Sequence, residues 1–414
     1  MNRFKTIALF CALLVVLSTL FLSSLLTHAA KAAPSSCGSC KPAAGAKQQN
    51  WPLYGFDPQD SNFNPDEHVL NSSNVSQLTL DWLFTPSYKH STLAETVPIV
   101  DHGMLYYGIR ATSGQGRLYA LNATTGSQIW SRVFNTPSVD VGTPAVSNGI
   151  VYIGVSGKFY ALSASTGAIL WTYSPQGAFE ISAPVIVSGV LYISVSGNIN
   201  SQNNRLYALN AQTGTVLWSY YLDPKGTSQT PAVANGIVYI GTFNTVQHNF
   251  YAVNAQTGKL VWSFLTNNFI ETSPSVVNGT AYVSDNHTVY ALDAQRGTVL
   301  WTATTAGVVN SSPAVAYGKV YIGDSDYKLY AFDAATGKLV WNFTAHFWVV
   351  GAAAANGVVY VASFDGNVYA LNAKTGQQLW SYLTNGGIPY TTVLNGMVYA
   401  DTTYGSVYAF HLPG

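Results

Sequence analysis

Seven tryptophans, Trp130, Trp171, Trp218, Trp262, Trp301, Trp341 and Trp380, follow one another at steps of 41, 47, 44, 39, 40 and 39 residues. Each closes the same block: Tyr-Ala, usually an Asn or Asp two residues on, a Gly turn, and Trp four residues after the Gly. A period near 40 is the mark of a propeller or a related repeat array. A second block lies between successive tryptophans, as in Pro144-Ala145-Val146-Ser147-Asn148-Gly149-Ile150-Val151-Tyr152. Asn-Gly occurs in it at Asn148, Asn235, Asn278, Asn356 and Asn395. That pair tolerates positive φ at both turn positions and fits a tight type I′ hairpin. Thr-Gly makes the second turn in six of seven repeats, Arg296-Gly297 being the exception. Each unit therefore reads as four antiparallel strands. A lone four-stranded sheet cannot bury both faces, whereas sheets stacked radially can.

The ends of the repeat array predict how it closes. The last unit has Met397-Val398-Tyr399 and Val407-Tyr408-Ala409 but stops before a Trp strand. Upstream, Leu78-Thr79-Leu80-Asp81-Trp82 is a Trp strand without predecessors. The N-terminal strand is expected to complete the last sheet and leave no free edge within the ring. The expected fold is all-β, an eight-bladed β-propeller of four-stranded antiparallel blades over residues 50–414. The eight tryptophans, Trp82 included, are expected to be structural.

Composition narrows the function classes. Charged residues make up 9% of the chain, against roughly 25% in an average soluble protein, and the formal net charge is zero. No basic surface suits nucleic acid. Hydrophobic content of 48% with ten Trp rules out disorder for the bulk of the chain, and three Cys exclude a disulfide scaffold. Such a chain is expected to act as a monomer.

Arg3 and Lys5 precede an apolar run from Ile7 to about Leu26, followed by Ala30-Lys31-Ala32. A basic start, an apolar middle and an Ala-x-Ala exit form the pattern of a secretory signal peptide over residues 1–32. Residues 33–49 read as a small-residue tether carrying Cys37 and Cys40. Three readings of that pair stand: a local disulfide or idle thiols, lipidation of Cys37, and zinc or redox work. The expected location is exported, whether periplasmic, extracellular or attached to the cell surface. Contact with a membrane would come only through a retained signal or a lipid.

The positions just before each first strand should face one mouth of the central channel. They hold Glu95, Asp140, Glu180, Glu271 and Asn310, with His346 and Trp348 in the seventh blade. Converging carboxylates suit Ca²⁺ and raise one another's pKa, which makes Glu180, Glu271 and Asp140 the catalytic candidates. Glu180 and Glu271 are the metal candidates; Trp348, Glu95 and Asn310 are the cofactor-binding ones. The alternative is that all are solvated loop residues bonding the strand starts.

The tandem Ala-x-Asn/Asp-x-x-Thr-Gly-x-x-x-Trp motif resembles that of the pyrroloquinoline-quinone (PQQ) repeat propellers, over roughly residues 50–412. Asn50-Trp51-Pro52-Leu53-Tyr54-Gly55-Phe56-Asp57, with Asn62-Phe63-Asn64-Pro65 and Asn71-Ser72-Ser73-Asn74-Val75, looks like the leading segment of quinoprotein alcohol dehydrogenases. That resemblance implies PQQ and Ca²⁺, a carboxylate base and oxidation of an alcohol, sugar or polyol. The outer-membrane-assembly lipoprotein propellers share the architecture, and this second resemblance implies a binding or scaffold module with a protein partner. The chain has no adjacent Cys pair, which the dehydrogenases carry as a vicinal disulfide. The expectation is a binding or scaffold module, with the dehydrogenase as the alternative.

Overall fold

Within each blade the second and third strands are apolar at nearly every position because neighbouring blades cover both faces. Ile150–Val155 and Lys158–Ser163, for example, are buried almost throughout, while the outer Ile169–Tyr173 alternates between half-buried and exposed residues. The computed structural model describes residues 50–86, 96–110, 115–135, 141–197, 204–222, 227–243 and 249–414. Eight sheets are present, each built on four antiparallel strands ordered from channel to rim. The eighth joins Thr391–Leu394, Met397–Asp401 and Val407–His411 to the N-terminal strand Thr79–Phe84, so the ring is closed by the chain's own beginning. No helix among the described residues is long and apolar enough to cross a membrane.

The repeated residues form the joints between blades. Seven of the eight repeat indoles donate from Nε1 to the carbonyl of an Ala in the next blade's hairpin, from Trp82 to Ala123 round to Trp341 to Ala373, at 2.8–3.3 Å. The second-strand tyrosines reach the same carbonyls from the blade behind: Tyr152 Oη donates to Ala211 O, to which Trp171 also donates. The hairpin glycine is required twice over. Gly258 has φ +68° and lies under the Trp218 ring, where a Cβ would meet ring carbons at 2.8 Å.

The rim strands are unpaired along their outer side, a liability for edge-to-edge association. In every blade the ladder shifts register immediately before the Trp; in the first, Ala120 faces Trp130 and Leu121 faces Gln128, leaving Ile129 out. A bulge of this kind twists an edge away from flat pairing.

A collar crosses one end of the channel. Residues 51–64 run round the innermost strands and offer a carbonyl to six of them. Trp51 O accepts from Val100, Pro52 O from Val146, Pro58 O from Val233, Gln59 O from Val276, Ser61 O from Val315 and Asn62 O from Ala354. Asn64 Nδ2 then donates to Val393 O, so the segment touches seven of the eight blades. Phe63–Asn64 adds a short parallel strand beside Ala354–Ala355. Tight turning puts Phe56, Asp60 and Asn62 at positive φ. Beyond the collar, Glu67 is buried and its carboxylate accepts from the Val69 and Leu70 N–H groups and from Gly396 in the eighth blade.

Candidate functional site

Above the collar the channel opens into a cavity of about 240 Å³, lined by Tyr54, Arg110, Thr143, Glu180, Thr230 and Tyr390 among others. Its wall is built largely by the residues that precede the inner strand of successive blades, and small hydroxyl side chains recur along it. Tyr54 comes from the collar and Tyr390 from the eighth blade; their rings meet edge to face, centroids 5.7 Å apart. Nearby, a second cavity of about 20 Å³ is lined by Tyr54, Asn62, Ser312 and Thr391. That volume holds about one water molecule.

The structure separates the residues that the sequence groups together. Glu180 lies on Ala178–Ile181, an extra strand pairing with Val190–Gly197, and faces the cavity. Glu271 and Asn310 do not line it. Glu271 is open to solvent, yet the protein crowding its carboxyl raises its pKa above the ordinary value by desolvation. Asn310 is half-buried, with Nδ2 enclosed and without a hydrogen-bond partner. His346 is exposed, its backbone N–H held by Asp365. Glu95, Asp140, Cys37 and Cys40 lie outside the described residues.

Trp348 belongs to an aromatic row instead of the cavity wall. Its ring stacks on Phe347 at 5.3 Å and 12°, Phe347 stacks on Tyr327 at 5.5 Å, and Phe364 packs obliquely on Trp348 at 6.4 Å. The surrounding loops are braced by aspartates that bond two loops at once. Asp365 accepts from Asn367, His346 and the Tyr369 hydroxyl, and Asp285 from Thr288, Asn268 and the Tyr290 hydroxyl. Other large rings are exposed on the same side of the blades: Phe179, on the extra strand Ala178–Ile181, is 55% exposed, Tyr404 46% and Tyr327 39%.

Tyr54, Tyr390 and Arg110 escaped the sequence reading. Arg110 has a signal, because the equivalent position is Ser156 in the second blade and Ser196 in the third, so a charge there breaks the repeat. Tyr54 and Tyr390 come from opposite ends of the chain and have no shared motif.

The chemistry of the described residues does not fit a Ca²⁺–PQQ pair. Ca²⁺ takes six to eight oxygen donors, and PQQ adds three carboxylates that call for cations. The cavity wall offers Glu180 and Arg110 as its charged residues. Among the described residues no three His, Cys, Asp or Glu side chains stand close enough to hold a metal.

Comparison with known proteins bears on the fold and the family. Solved structures that the fold resembles include a quinohemoprotein alcohol dehydrogenase from Comamonas testosteroni, a europium-containing methanol dehydrogenase, and BamB from Moraxella catarrhalis. The first aligns with a TM-score of 0.74 at 17% identity, over 90% of this chain and 82% of that one. The second gives 0.68 at 16% identity, over 88% and 98%. BamB gives 0.60 at 20% identity, over 81% and 97%. At such identities the likeness is one of fold. No curated protein sequence matches the chain. The family profile described as glucose/ethanol/alcohol dehydrogenase, beta-propeller domain, matches residues 51–141. The profile described as outer membrane protein assembly factor BamB matches residues 114–263, 202–344 and 285–412. These three overlapping matches span well over half of the sequence, and the chain belongs to that PQQ-type propeller family.

Proposed function

We propose that the chain is an exported, monomeric binding or scaffold module whose mouth face receives a protein partner. Residues 1–32 would direct export, 33–49 would serve as the tether, and 50–414 would form the working domain. The observation that supports this reading is the set of exposed rings on the mouth side, Phe179, Tyr327 and Tyr404, with Tyr327 on a turn held by the Asp324 carboxylate, which accepts from the Asp326 and Lys328 N–H groups. Aromatic side chains are enriched in protein interfaces because they bury large area at low entropic cost. The family profile described as an assembly factor agrees with such a role. The test is a photo-crosslinking residue at position 179 or 404, with position 317 as the control on another loop. Capture of one identified protein from 179 and 404 but not from 317 is expected.

A second reading, a PQQ- and Ca²⁺-dependent dehydrogenase oxidising an alcohol, sugar or polyol, rests on the dehydrogenase-type match at residues 51–141. In it Glu180 and Glu271 would face the metal, and Trp348, Glu95 and Asn310 the cofactor, with Asp140 as a further acid–base group. Titration with PQQ and Ca²⁺, followed by dye reduction with a panel of alcohols, separates the two. Turnover that disappears in Glu180→Ala would replace the first reading with the second.

A further inference from the structure

Inside the collar stands a carboxylate that no group among the described residues satisfies. Asp60 is 2% exposed, and neither of its carboxyl oxygens has a hydrogen-bond partner. It folds back over Gly55, where a Cβ would fall 1.6 Å from Oδ1, so the Gly is what admits the carboxyl. The loop is fixed around it: Asn62 N–H donates to Gly55 O at 2.9 Å, and Asp60 N–H to Asp57 O at 3.0 Å. A second carboxylate lies close by. Asp57 accepts from the Gln59 and Ser61 N–H groups and from the Ser61 hydroxyl, and its charge is felt at Asp60.

Protonation would not resolve this arrangement, because a neutral carboxyl still has an O–H donor and a carbonyl to satisfy. A buried group of this kind carries a large desolvation cost unless an ion or water completes it. Two carboxylates three residues apart in one turn, one of them buried and unsatisfied, offer the hard oxygen donors that such a cation prefers. We propose that Asp60, backed by Asp57, holds a hard cation of the Ca²⁺ class inside the collar, at a site separate from the channel mouth. The cation would knit residues 55–62 into the rigid piece from which the collar's carbonyls reach the blades.

The experiment uses chelator-treated, full-length protein titrated with Tb³⁺, followed by competition with Ca²⁺. Trp51, packed edge to face on Phe56 of the same turn-rich segment at 5.1 Å, is the sensitising ring. One saturable luminescent site per chain is expected, displaced by Ca²⁺, with an unfolding temperature several degrees higher in Ca²⁺ than in chelator at equal ionic strength. Asp60→Asn should weaken Tb³⁺ at least tenfold and abolish the Ca²⁺-dependent shift. Asp66→Asn, on an exposed residue of the same segment, should keep both. A flat Tb³⁺ titration of the unaltered protein overturns the proposal even if Asp60→Asn fails to fold. So does loss of the signal in the Glu180→Gln/Glu271→Gln double variant with retention in Asp60→Asn, which would move the cation to the mouth.

Discussion

Trp380 Nε1 donates to the carbonyl of Leu78 at 3.0 Å, although the seven other rim tryptophans donate to an Ala inside a hairpin. The difference marks the seam. In the eighth blade the hairpin between third and fourth strands is replaced by the junction of His411 with Thr79, so the usual Ala carbonyl does not exist. The second-strand tyrosine that would share it, Tyr360, is fully buried with its hydroxyl unpartnered. Its counterpart Tyr152 donates to Ala211 O at 3.0 Å. Tyr152→Phe is expected to cost about 1 kcal/mol, the usual net worth of such a bond. Tyr360→Phe removes an unsatisfied polar atom and is expected to be neutral or stabilising. Urea denaturation of the two variants side by side checks the contrast.

Glu67 ties the segment after the collar to the last blade. Its carboxylate serves three backbone N–H groups, including Gly396 at 3.0 Å, and the residue is 1% exposed. Glu67→Ala leaves three donors without their acceptor, those of Leu70 and Gly396 buried. A loss of roughly 2–4 kcal/mol is expected from charged hydrogen bonds of this kind. Equilibrium denaturation measures it, and a loss below about 0.5 kcal/mol would contradict the assignment.

Two sets of glycines with similar backbones should respond differently to alanine. Gly258 and Gly236 have φ +68° and +76°, but a Cβ at Gly258 meets Trp218 while a Cβ at Gly236 has nothing within 4 Å. Gly236→Ala should cost only the left-handed strain, roughly 1–2 kcal/mol. Gly258→Ala should add an overpacking term of about 1–3 kcal/mol. Thermal unfolding of both variants tests whether the Trp–Gly contact is the joint described above.

Stability should fall in alkali. Burial pushes the hydroxyls of Tyr152 and Tyr239 up to about 12, while an unfolded tyrosine ionises near 10. A raised folded-state pKa means that the contribution is fully present below about pH 10. It is lost as pH rises towards 12, because the unfolded chain then releases protons that the native one retains. Denaturant midpoints between pH 8 and 12 should be level at first and then decline, more shallowly in a Tyr152→Phe, Tyr239→Phe double variant.

The blades were legible because one block recurs, and each copy constrains the others. The Trp and Gly spacing, the Asn-Gly turns and the orphan strand at Trp82 are all local signals read in register. The collar was not legible beyond its resemblance, since nothing in Pro52 or Gln59 announces which strand its carbonyl will meet. The mouth was harder still. Glu180, Glu271 and Asn310 occupy like positions in the repeat, yet an extra strand turns Glu180 to the cavity while the other two stay off its wall. Trp348 departs from the pattern because it joins Phe347 and Phe364 in a row. Loop geometry, unlike strand geometry, is not set by the period.

Three links near the start of the propeller are made only with its last blade. Asn64 meets Val393, Glu67 meets Gly396, and Thr79–Phe84 waits for Val407–His411. Until translation is complete, blades can stack but the circle stays open and the collar has no last blade to reach. A chain so arranged carries its own delay: the ring cannot lock before Val407–His411 has been made.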